Sequence, residues 1–171
     1  MTTLLMRPLR HLVQGLVAND SPRQVATGFT LGMLIGLIPK GNLIILVLTL
    51  LLCALRVNKP AGLMAAACFS LVGLFFDPFT HQLGALVLVH ETIRPLHRWL
   101  YELPLGPWLG MNNTVVVGQL LIGIYLVFPT YWLTNRFVCK VQPRMTKWLL
   151  RYKVIRWLRG AELGSHWGIE A

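Results

Sequence analysis

The segment that decides the fold is PRQVATGFTLGMLIGLIPKGN, residues 22–42, an apolar run that stops at the polar sequence PKGN. Ser21 and Pro22 are a typical helix start, because serine caps free backbone amides and proline fits the first helical position. No charged residue lies between Arg23 and Lys40. The segment therefore predicts an apolar helix that ends at a polar break.

The whole chain shares this apolar character. Of its 171 residues, 55% are hydrophobic and 13% are charged, with 16 Lys and Arg against 6 Asp and Glu. A soluble domain usually carries about 25% charged residues, whereas the mean hydropathy here is +0.60. The composition excludes a disordered chain, a secreted disulfide scaffold and a soluble metalloenzyme, and it predicts an all-α integral membrane protein.

Further apolar runs follow the first, and each ends at polar residues or proline. They cover residues 43–55, 61–76, 83–89 and 114–134. The last run is long enough to cross the hydrocarbon core as a helix. We expect about four transmembrane or re-entrant helices, broken at Pro39 and Pro78, with amphipathic interfacial helices at both ends.

Three regions are expected along the chain. Residues 1–20 form an N-terminal amphipathic segment, which lies either on the membrane surface or packed as an ordinary helix. Residues 21–134 form the membrane domain, and residues 135–171 form a basic cytoplasmic tail. Within the membrane domain we expect paired broken-helix units at 22–55 and 60–91, a periplasmic loop at 92–113 and a transmembrane helix at 114–134.

The placement of charge predicts that both termini are cytoplasmic. Residues 136–159 contain eight basic residues and no acidic ones, and short segments rich in Lys and Arg stay in the cytoplasm. The number of crossings must then be even. Residues 22–91 would contribute either three full crossings, which we favour, or a re-entrant hairpin and one crossing.

Glycines recur at every fourth residue of the first run, at Gly28, Gly32 and Gly36. Small residues at this spacing lie on one helix face and allow another helix to approach closely. We expect this face to serve helix packing, either within the chain or against the helix of a partner.

Polar residues cluster at the two predicted breaks, and together they form a candidate broken-helix site: Pro39, Lys40, Asn42, Asp77, Pro78, Thr80 and His81. Two arrangements are open. Lys40 and Asp77 pair at membrane depth, or both turns lie at the interface, where Lys40 extends to the headgroups and Asp77 caps a helix. Paired proline-interrupted segments also occur in secondary transporters, and two ordinary helical hairpins are the alternative.

A basic amphipathic helix is predicted within residues 141–158. Its residues Arg144, Lys147 and Arg151 are candidates for binding anionic lipid headgroups. RNA is a weaker candidate, because the apolar face of this helix suits acyl chains. No nucleophile–base pair, phosphate loop or cluster with metal-ligand spacing is present, so we expect no catalytic residues, no cofactor, no metal and no enzymatic activity.

Several short motifs between about Ser21 and Val116 together resemble one bacterial family. They are SP (21–22), the glycine-bearing helix ending GLIPKGN (36–42), RVN (56–58), DPFTHQLG (77–84) and NNTVV (112–116). The chain is similar to the inner-membrane family catalogued as domain of unknown function two-thousand-and-sixty-two. It most resembles the branch whose genes lie next to one for a large AsmA-like periplasmic protein.

This resemblance implies a role in the bacterial envelope. AsmA-like proteins form periplasmic β-grooves associated with phospholipid transport, so the chain would be the inner-membrane subunit that anchors such a protein and loads phospholipid into it. The expected partners are a large AsmA-like protein with a transmembrane anchor, phospholipid and an anionic membrane surface, with no nucleic acid. A small secondary transporter and a non-catalytic membrane scaffold are the alternatives.

Overall fold

A computed structural model of the chain describes residues 21–149, with side chains described as far as Val141. Five α-helices and one short 3-10 helix make up this part. They are α1 (Pro22–Leu37), α2 (Leu43–Ala54), α3 (Lys59–Val89), α4 (Arg94–Glu102), the 3-10 helix (Gly106–Leu109) and α5 (Thr114–Leu149). The expected all-helical architecture is therefore what the described residues show.

Helix α1 forms the centre of the molecule, because it packs against both long helices, α3 and α5, which also pack against each other. Its first turn is closed by a capping box in which the side chains of Ser21 and Gln24 each bind the backbone amide of the other. The helix ends at Leu37, after which Ile38 is extended and precedes a proline. The buried residues of α1 are Val25, Ala26, Gly28, Thr30, Gly32, Met33, Ile35, Gly36 and Leu37.

Helix α3 runs for 31 residues straight through Pro78. The predicted break at Pro78 is therefore wrong, and residues 60–91 contain a continuous helix in its place. Proline inside a helix removes one amide donor and kinks the helix, but it need not end it. Neighbouring helices hold the two halves of α3 in place, since α1 packs along the first half and α5 along the second.

The start of α3 is fixed by the side chain of Asn58. Its Oδ1 accepts a hydrogen bond from the backbone amide of Ala61 at 2.7 Å, and Pro60 occupies the first turn. Both features are typical of a helix N-terminus. The sequence RVNKP at residues 56–60 thus ends the α1–α2 hairpin and begins the long helix.

Helix α5 continues past residue 134 to Leu149, so the structure does not separate a transmembrane helix from a tail at that point. The helical backbone runs on through Asn135 and Arg136, and the apolar helix simply becomes more polar. The predicted boundary followed a change in composition, which is not a change in secondary structure.

Two described helices are long and apolar enough to cross a membrane, Lys59–Val89 and Thr114–Val141. Helices α1 and α2 have 16 and 12 residues, which at ~1.5 Å per residue is less than the ~30 Å of a hydrocarbon core. Residues 22–91 thus contain one helix of crossing length and a short hairpin rather than the three crossings that we favoured.

The two ends of the bundle differ in charge. At one end, the backbone amide of Asn58 donates to the carbonyl of Gln24 at 3.2 Å, which places the starts of α1 and α3 together, and α5 returns to this end because it runs antiparallel to α3. We call it the basic end; its charged residues are Arg23, Arg56, Lys59, Arg136 and Lys140. The end of α1 reaches only the middle of α3, where Leu37 lies beside Gly73. Gly110 lies beside Asn42, so the segment that leads into α5 meets the tip of the α1–α2 hairpin.

Candidate polar site between the long helices

The glycine face of α1 is filled by the chain itself. Gly28 lies against Asn58, the cap of α3, and Gly32 and Gly36 lie against Gly62 and Ala66 of α3; both sets repeat every fourth residue. A Cβ atom on any of the three glycines would collide with the carbonyl oxygen of its neighbour on α3. The predicted packing role is therefore internal, and this face is not free for the helix of a partner.

A second close approach joins α3 to α5, and the sequence analysis did not identify it. Gly84 lies against the carbonyl of Thr114, and Gly118 lies against the carbonyl of Thr80. The signal was present, because Gly84 and Gly118 are isolated glycines in otherwise bulky apolar runs. Together the two glycine contacts hold α5 beside the part of α3 that follows Pro78.

Lys40 caps the end of α1 and forms no hydrogen bond or ion pair with Asp77. Its ammonium group donates to the carbonyl oxygens of Ile35 at 2.6 Å, Gly36 at 3.2 Å and Ile38 at 3.4 Å. These are carbonyls near the helix end, and a cation there also interacts favourably with the helix dipole. The turn lies outside the two long helices, and partial burial lowers the pKa of Lys40 below its ordinary value.

Asn42 completes the turn at the tip of the hairpin. Its Nδ2 donates to the carbonyl of Pro39 at 2.8 Å, and its Oδ1 accepts from the amide of Ile45 at 3.0 Å. The polar groups of this turn are satisfied locally, so Pro39, Lys40 and Asn42 form a structural turn.

Asp77 is paired with Gln119 of α5, a residue that the sequence analysis did not select. Nε2 of Gln119 donates to Oδ1 of Asp77 at 2.6 Å and to the carbonyl of Gly73 at 3.2 Å. Gln119 is only 2% exposed, and it is the only amide side chain in the apolar run 114–134. A single amide in a long apolar helix is the signal that identifies it, since such a group needs a partner.

The other end of the same amide is unsatisfied. Oε1 of Gln119 is buried and has no hydrogen-bond partner in the part of the chain that the structure describes. Leaving a buried acceptor unpaired costs about 1–3 kcal/mol. A buried acceptor of this kind leaves a place for a donor, an ordered water or a cation.

Thr80 and His81 lie one turn beyond this pair. The Thr80 hydroxyl is buried and donates to the backbone carbonyl of Asp77 at 3.0 Å. Nδ1 of His81 is bonded to Oγ1 of Thr114 at 2.5 Å, in an exposed position. Of the predicted site residues, Asp77, Pro78, Thr80 and His81 thus lie together on α3, and the hydrogen bonds of Lys40 and Asn42 do not link the hairpin turn to them.

The pair is far from both ends of α3. Asp77 is 18 residues after Lys59 and 12 before Val89, so it lies about 27 Å and about 18 Å from the two helix ends. Its neighbours along the helix are Phe75, Phe76 and Phe79, which point away from the protein and are largely exposed. Asp77 itself is half-buried, and its bond to Gln119 is partly shielded.

An open groove of about 860 Å³ lies at the end of α3 away from the basic end. Its lining combines apolar and polar groups: Gln82, Ala85, Leu86, Val89, His90, Glu91 and Thr92. Helix α4 follows directly, within residues 92–113, where the sequence predicts a loop. It is strongly amphipathic, with Leu96 and Trp99 exposed on one side and Arg94 and Arg98 on the other.

Some predicted sites lie outside the described residues. These are the N-terminal segment 1–20 and the headgroup residues Arg144, Lys147 and Arg151, whose side chains are not described. Within the described part, no group of three His, Cys, Asp or Glu side chains is arranged to hold a metal ion.

Comparison with known proteins gives one family match. The family model described as "Uncharacterized protein conserved in bacteria (DUF2062)" matches residues 6–147. An "Uncharacterized protein" of Treponema pallidum (strain Nichols) is 29% identical over 131 residues, which is 77% of this chain and 81% of the relative. No solved structure matches the chain.

Proposed function

This chain belongs to the bacterial family DUF2062, and on that premise we propose that it is an integral protein of the bacterial cytoplasmic membrane that takes part in lipid transport across the envelope. The family match confirms the resemblance that its motifs predicted. The membrane location, the lipid and the partner are our proposals, and each has its own support.

The observation that carries the membrane location is the exposed apolar surface of α3 and α5. Phe75 is 84% exposed, Tyr125 is 80% exposed and Phe128 is 76% exposed. Leaving a side chain of this size in water instead of burying it forgoes about 1.5–3 kcal/mol, and large apolar side chains of both helices repeat this along their length. In lipid, this surface carries no such cost.

The charges of the two ends support an orientation. The basic end carries five Lys and Arg residues and no acidic residue among the positions whose side chains are described. The opposite end carries Arg94 and Arg98 together with Glu91 and Glu102, and is neutral. By the positive-inside rule the basic end is cytoplasmic, with α3 and α5 crossing the membrane, the α1–α2 hairpin entering from the cytoplasmic side, and both termini cytoplasmic.

The periplasmic end then offers a place for phospholipid. The groove at the end of α3 has apolar walls at Leu86 and Val89 and polar groups at His90 and Glu91, which suits a molecule with acyl chains and a zwitterionic headgroup. Helix α4 lies beside it, with an apolar side for the interface and basic residues for phosphate. We place the transfer of phospholipid to an AsmA-like periplasmic protein at this end.

The transmembrane helix of such a partner would have to pack against an exposed apolar helix surface of this chain. The glycine face of α1 is occupied, but α2 presents Leu46, Val47 and Leu50 on its outer side, all at least half exposed. Helix α2 is too short to cross the membrane by itself, so a full-length helix of the partner would cover it along its whole length. We propose this side of α2 as the docking face.

Affinity purification of the tagged protein from native membranes in mild detergent tests this function. We expect a large periplasmic protein with one transmembrane helix, together with phospholipid, to co-purify. Recovery of the chain without any large periplasmic companion would contradict the proposal.

Tryptophan substitutions on α2 test the docking face. Val47→Trp and Leu50→Trp each place a bulky ring where the partner helix would pack, so both should lower recovery of the partner. Leu71→Trp is the matched control, because Leu71 is equally exposed but lies on α3. Equal recovery in all three variants would contradict the assignment of this face.

A second candidate function is a small ion-coupled transporter, and the Asp77–Gln119 pair is the observation that favours it. This function predicts ion-dependent solute uptake by the purified protein in liposomes, which is lost in Asp77→Leu. Uptake that requires no partner protein would favour the transporter over the lipid-transport subunit.

A further inference from the structure

We propose that Asp77 and Gln119 form a binding site for one small cation, a proton or Na⁺, between α3 and α5. The inference rests on the membrane location proposed above. It does not depend on lipid transport, because the groove and the docking face involve other residues.

The amide of Gln119 has a fixed orientation. Nε2 uses both of its hydrogens, one to Oδ1 of Asp77 at 2.6 Å and one to the carbonyl of Gly73 at 3.2 Å. A rotation of the amide by half a turn would direct its oxygen at two acceptors, which is repulsive. Oε1 therefore stays where it is, buried and without a donor in the described part of the chain.

The carboxylate of Asp77 also lacks a counter-charge. Within residues 21–141 the carboxylate of Asp77 forms no ion pair. The hydrogen bond that it accepts there comes from Nε2 of Gln119. A carboxylate in an apolar helix is costly unless a cation, a proton or a partner neutralises it. The pair thus combines an unneutralised carboxylate with an unsatisfied amide oxygen on adjacent groups.

Two titratable side chains come into question as the counter-charge, Lys40 at the hairpin turn and His81 on α3, and both have other hydrogen-bond partners. The ammonium group of Lys40 binds three carbonyls near the end of α1. The ring of His81, on α3 itself, is bonded to Thr114. Neither group is therefore the counter-charge of Asp77.

The elements packed around the pair supply no other charge. Residues 24–37, 43–55 and 114–134 contain no charged residue, so α2, the part of α1 after its first turn and the apolar part of α5 are neutral. The charged residues of α4 are exposed to the outside. The cation must therefore come from solution.

A proton satisfies both groups at once. On Oδ2 of Asp77 it gives a carboxylic acid whose O–H donates to Oε1 of Gln119, while Nε2 continues to donate to Oδ1. This closes a ring of two hydrogen bonds and leaves no net charge. Na⁺ would use the same two oxygens, Oδ2 of Asp77 and Oε1 of Gln119, because oxygen atoms are the ligands that hard cations prefer.

Carbodiimide labelling of the full chain in nanodiscs tests the site. Dicyclohexylcarbodiimide reacts with carboxylic acids in apolar surroundings, and mass spectrometry of peptides locates the adduct. In sodium-free choline buffer we expect Asp77 to react at least about fivefold faster than the exposed residues Glu91 and Glu102, and to react more slowly as the pH rises. Equal or slower reaction of Asp77 at every pH would overturn the proposal.

Addition of Na⁺ identifies the cation. Protection of Asp77 by Na⁺ at constant pH supports a sodium site, and unchanged labelling that still depends on pH supports a proton site. In Gln119→Leu the dependence on pH and Na⁺ should shift or vanish. Thr134→Leu, a polar-to-apolar change in α5 far from the pair, is the matched control and should behave as the wild type.

Asp77→Asn keeps the test informative if Gln119→Leu does not fold. An asparagine amide donates to Oε1 of Gln119 and accepts from Nε2, so it mimics the protonated acid and should fold. We expect the thermal unfolding midpoint of the wild type to depend on pH or Na⁺ and that of Asp77→Asn to lose this dependence. Identical dependence in both proteins would overturn the site. Failure of the wild type to enter nanodiscs would overturn the membrane location, and this inference with it.

Discussion

Gly28, Gly32 and Gly36 set the distance between α1 and α3, because each leaves room for a backbone carbonyl of the facing helix. Backbones that approach this closely gain van der Waals contact along the whole seam, which is the main attraction between helices where lipid surrounds them. At the scale of single residues, the fold therefore depends on these glycines, which have no side chain, as much as on the apolar side chains.

Gly32→Ala should destabilise the protein strongly, because the added methyl group collides with the carbonyl of Gly62, which cannot move without α3. We expect a loss of about 1–3 kcal/mol in the free energy of unfolding, measured by denaturant titration in mixed micelles. Gly123→Ala is the matched control, since its methyl group would meet only the flexible ends of leucine side chains. Equal effects of the two changes would contradict the described packing of α1 on α3.

Lys40→Met should cost about 1 kcal/mol of stability, because the end of α1 loses the cation that binds its last carbonyls. Since Lys40 and Asp77 have separate partners, the effects of Lys40→Met and Asp77→Asn should add to within about 0.5 kcal/mol. A double-mutant cycle measured by the same titration decides this. A coupling energy well above that limit would restore the direct Lys40–Asp77 pair that the sequence left open.

The residue patterns predicted the glycine face and the polar residues but not their partners. Spacing places Gly28, Gly32 and Gly36 on one face, yet it does not reveal which helix covers that face. Asp77 was selected because a charge in an apolar run needs a partner. Its partner Gln119 lies 42 residues away, and only tertiary packing brings the two together.

At the scale of elements, the two proline-containing positions behave differently although the sequence around them is similar. Pro39 follows an extended residue and a helix end, whereas Pro78 lies inside α3. The residues after Pro39 include Gly41, with a positive φ, and the cap Asn42, both of which favour a turn. The residues after Pro78 lead to Gly84, which packs on α5, so tertiary contacts keep the helix continuous. A prediction from local sequence alone therefore places a helix end at Pro78 where the structure has none.

A distance measurement tests whether α3 is continuous. Spin labels at Leu71 and Leu86, both on the exposed side of α3, are 15 residues apart in sequence and should be separated by about 22 Å along the helix. Pulsed electron resonance of the doubly labelled protein in nanodiscs gives this distance. A value closer to half of it would indicate a turn at Pro78 and would restore the broken-helix unit.

At the scale of the whole molecule, a short helical hairpin packs against two long apolar helices, and charge is concentrated at one end. Hydropathy was sufficient to predict the helical class and the apolar span near residues 114–134. It left two arrangements of residues 22–91 open, three crossings or a re-entrant hairpin with one crossing, because an apolar helix of 16 residues packed inside a bundle has the same composition as one that meets lipid.

Cysteine accessibility tests the proposed orientation. Cys53, Cys68 and Cys139 are first changed to serine. In cells whose outer membrane is permeabilised and whose inner membrane is intact, Glu102→Cys should then react with a membrane-impermeant maleimide. Arg56→Cys should react only after the inner membrane is opened, because it lies at the basic end. The reverse pattern would show that the basic end faces the periplasm.

Fractionation of cell membranes tests most directly that the exposed apolar side chains of α3 and α5 meet lipid. After alkaline carbonate treatment and high-speed centrifugation, the wild-type chain should stay in the membrane pellet and be released only by detergent, because stripping it from lipid would expose Phe75, Tyr125 and Phe128 to water. Recovery of folded chain in the supernatant without detergent would contradict the membrane location and every function proposed for it.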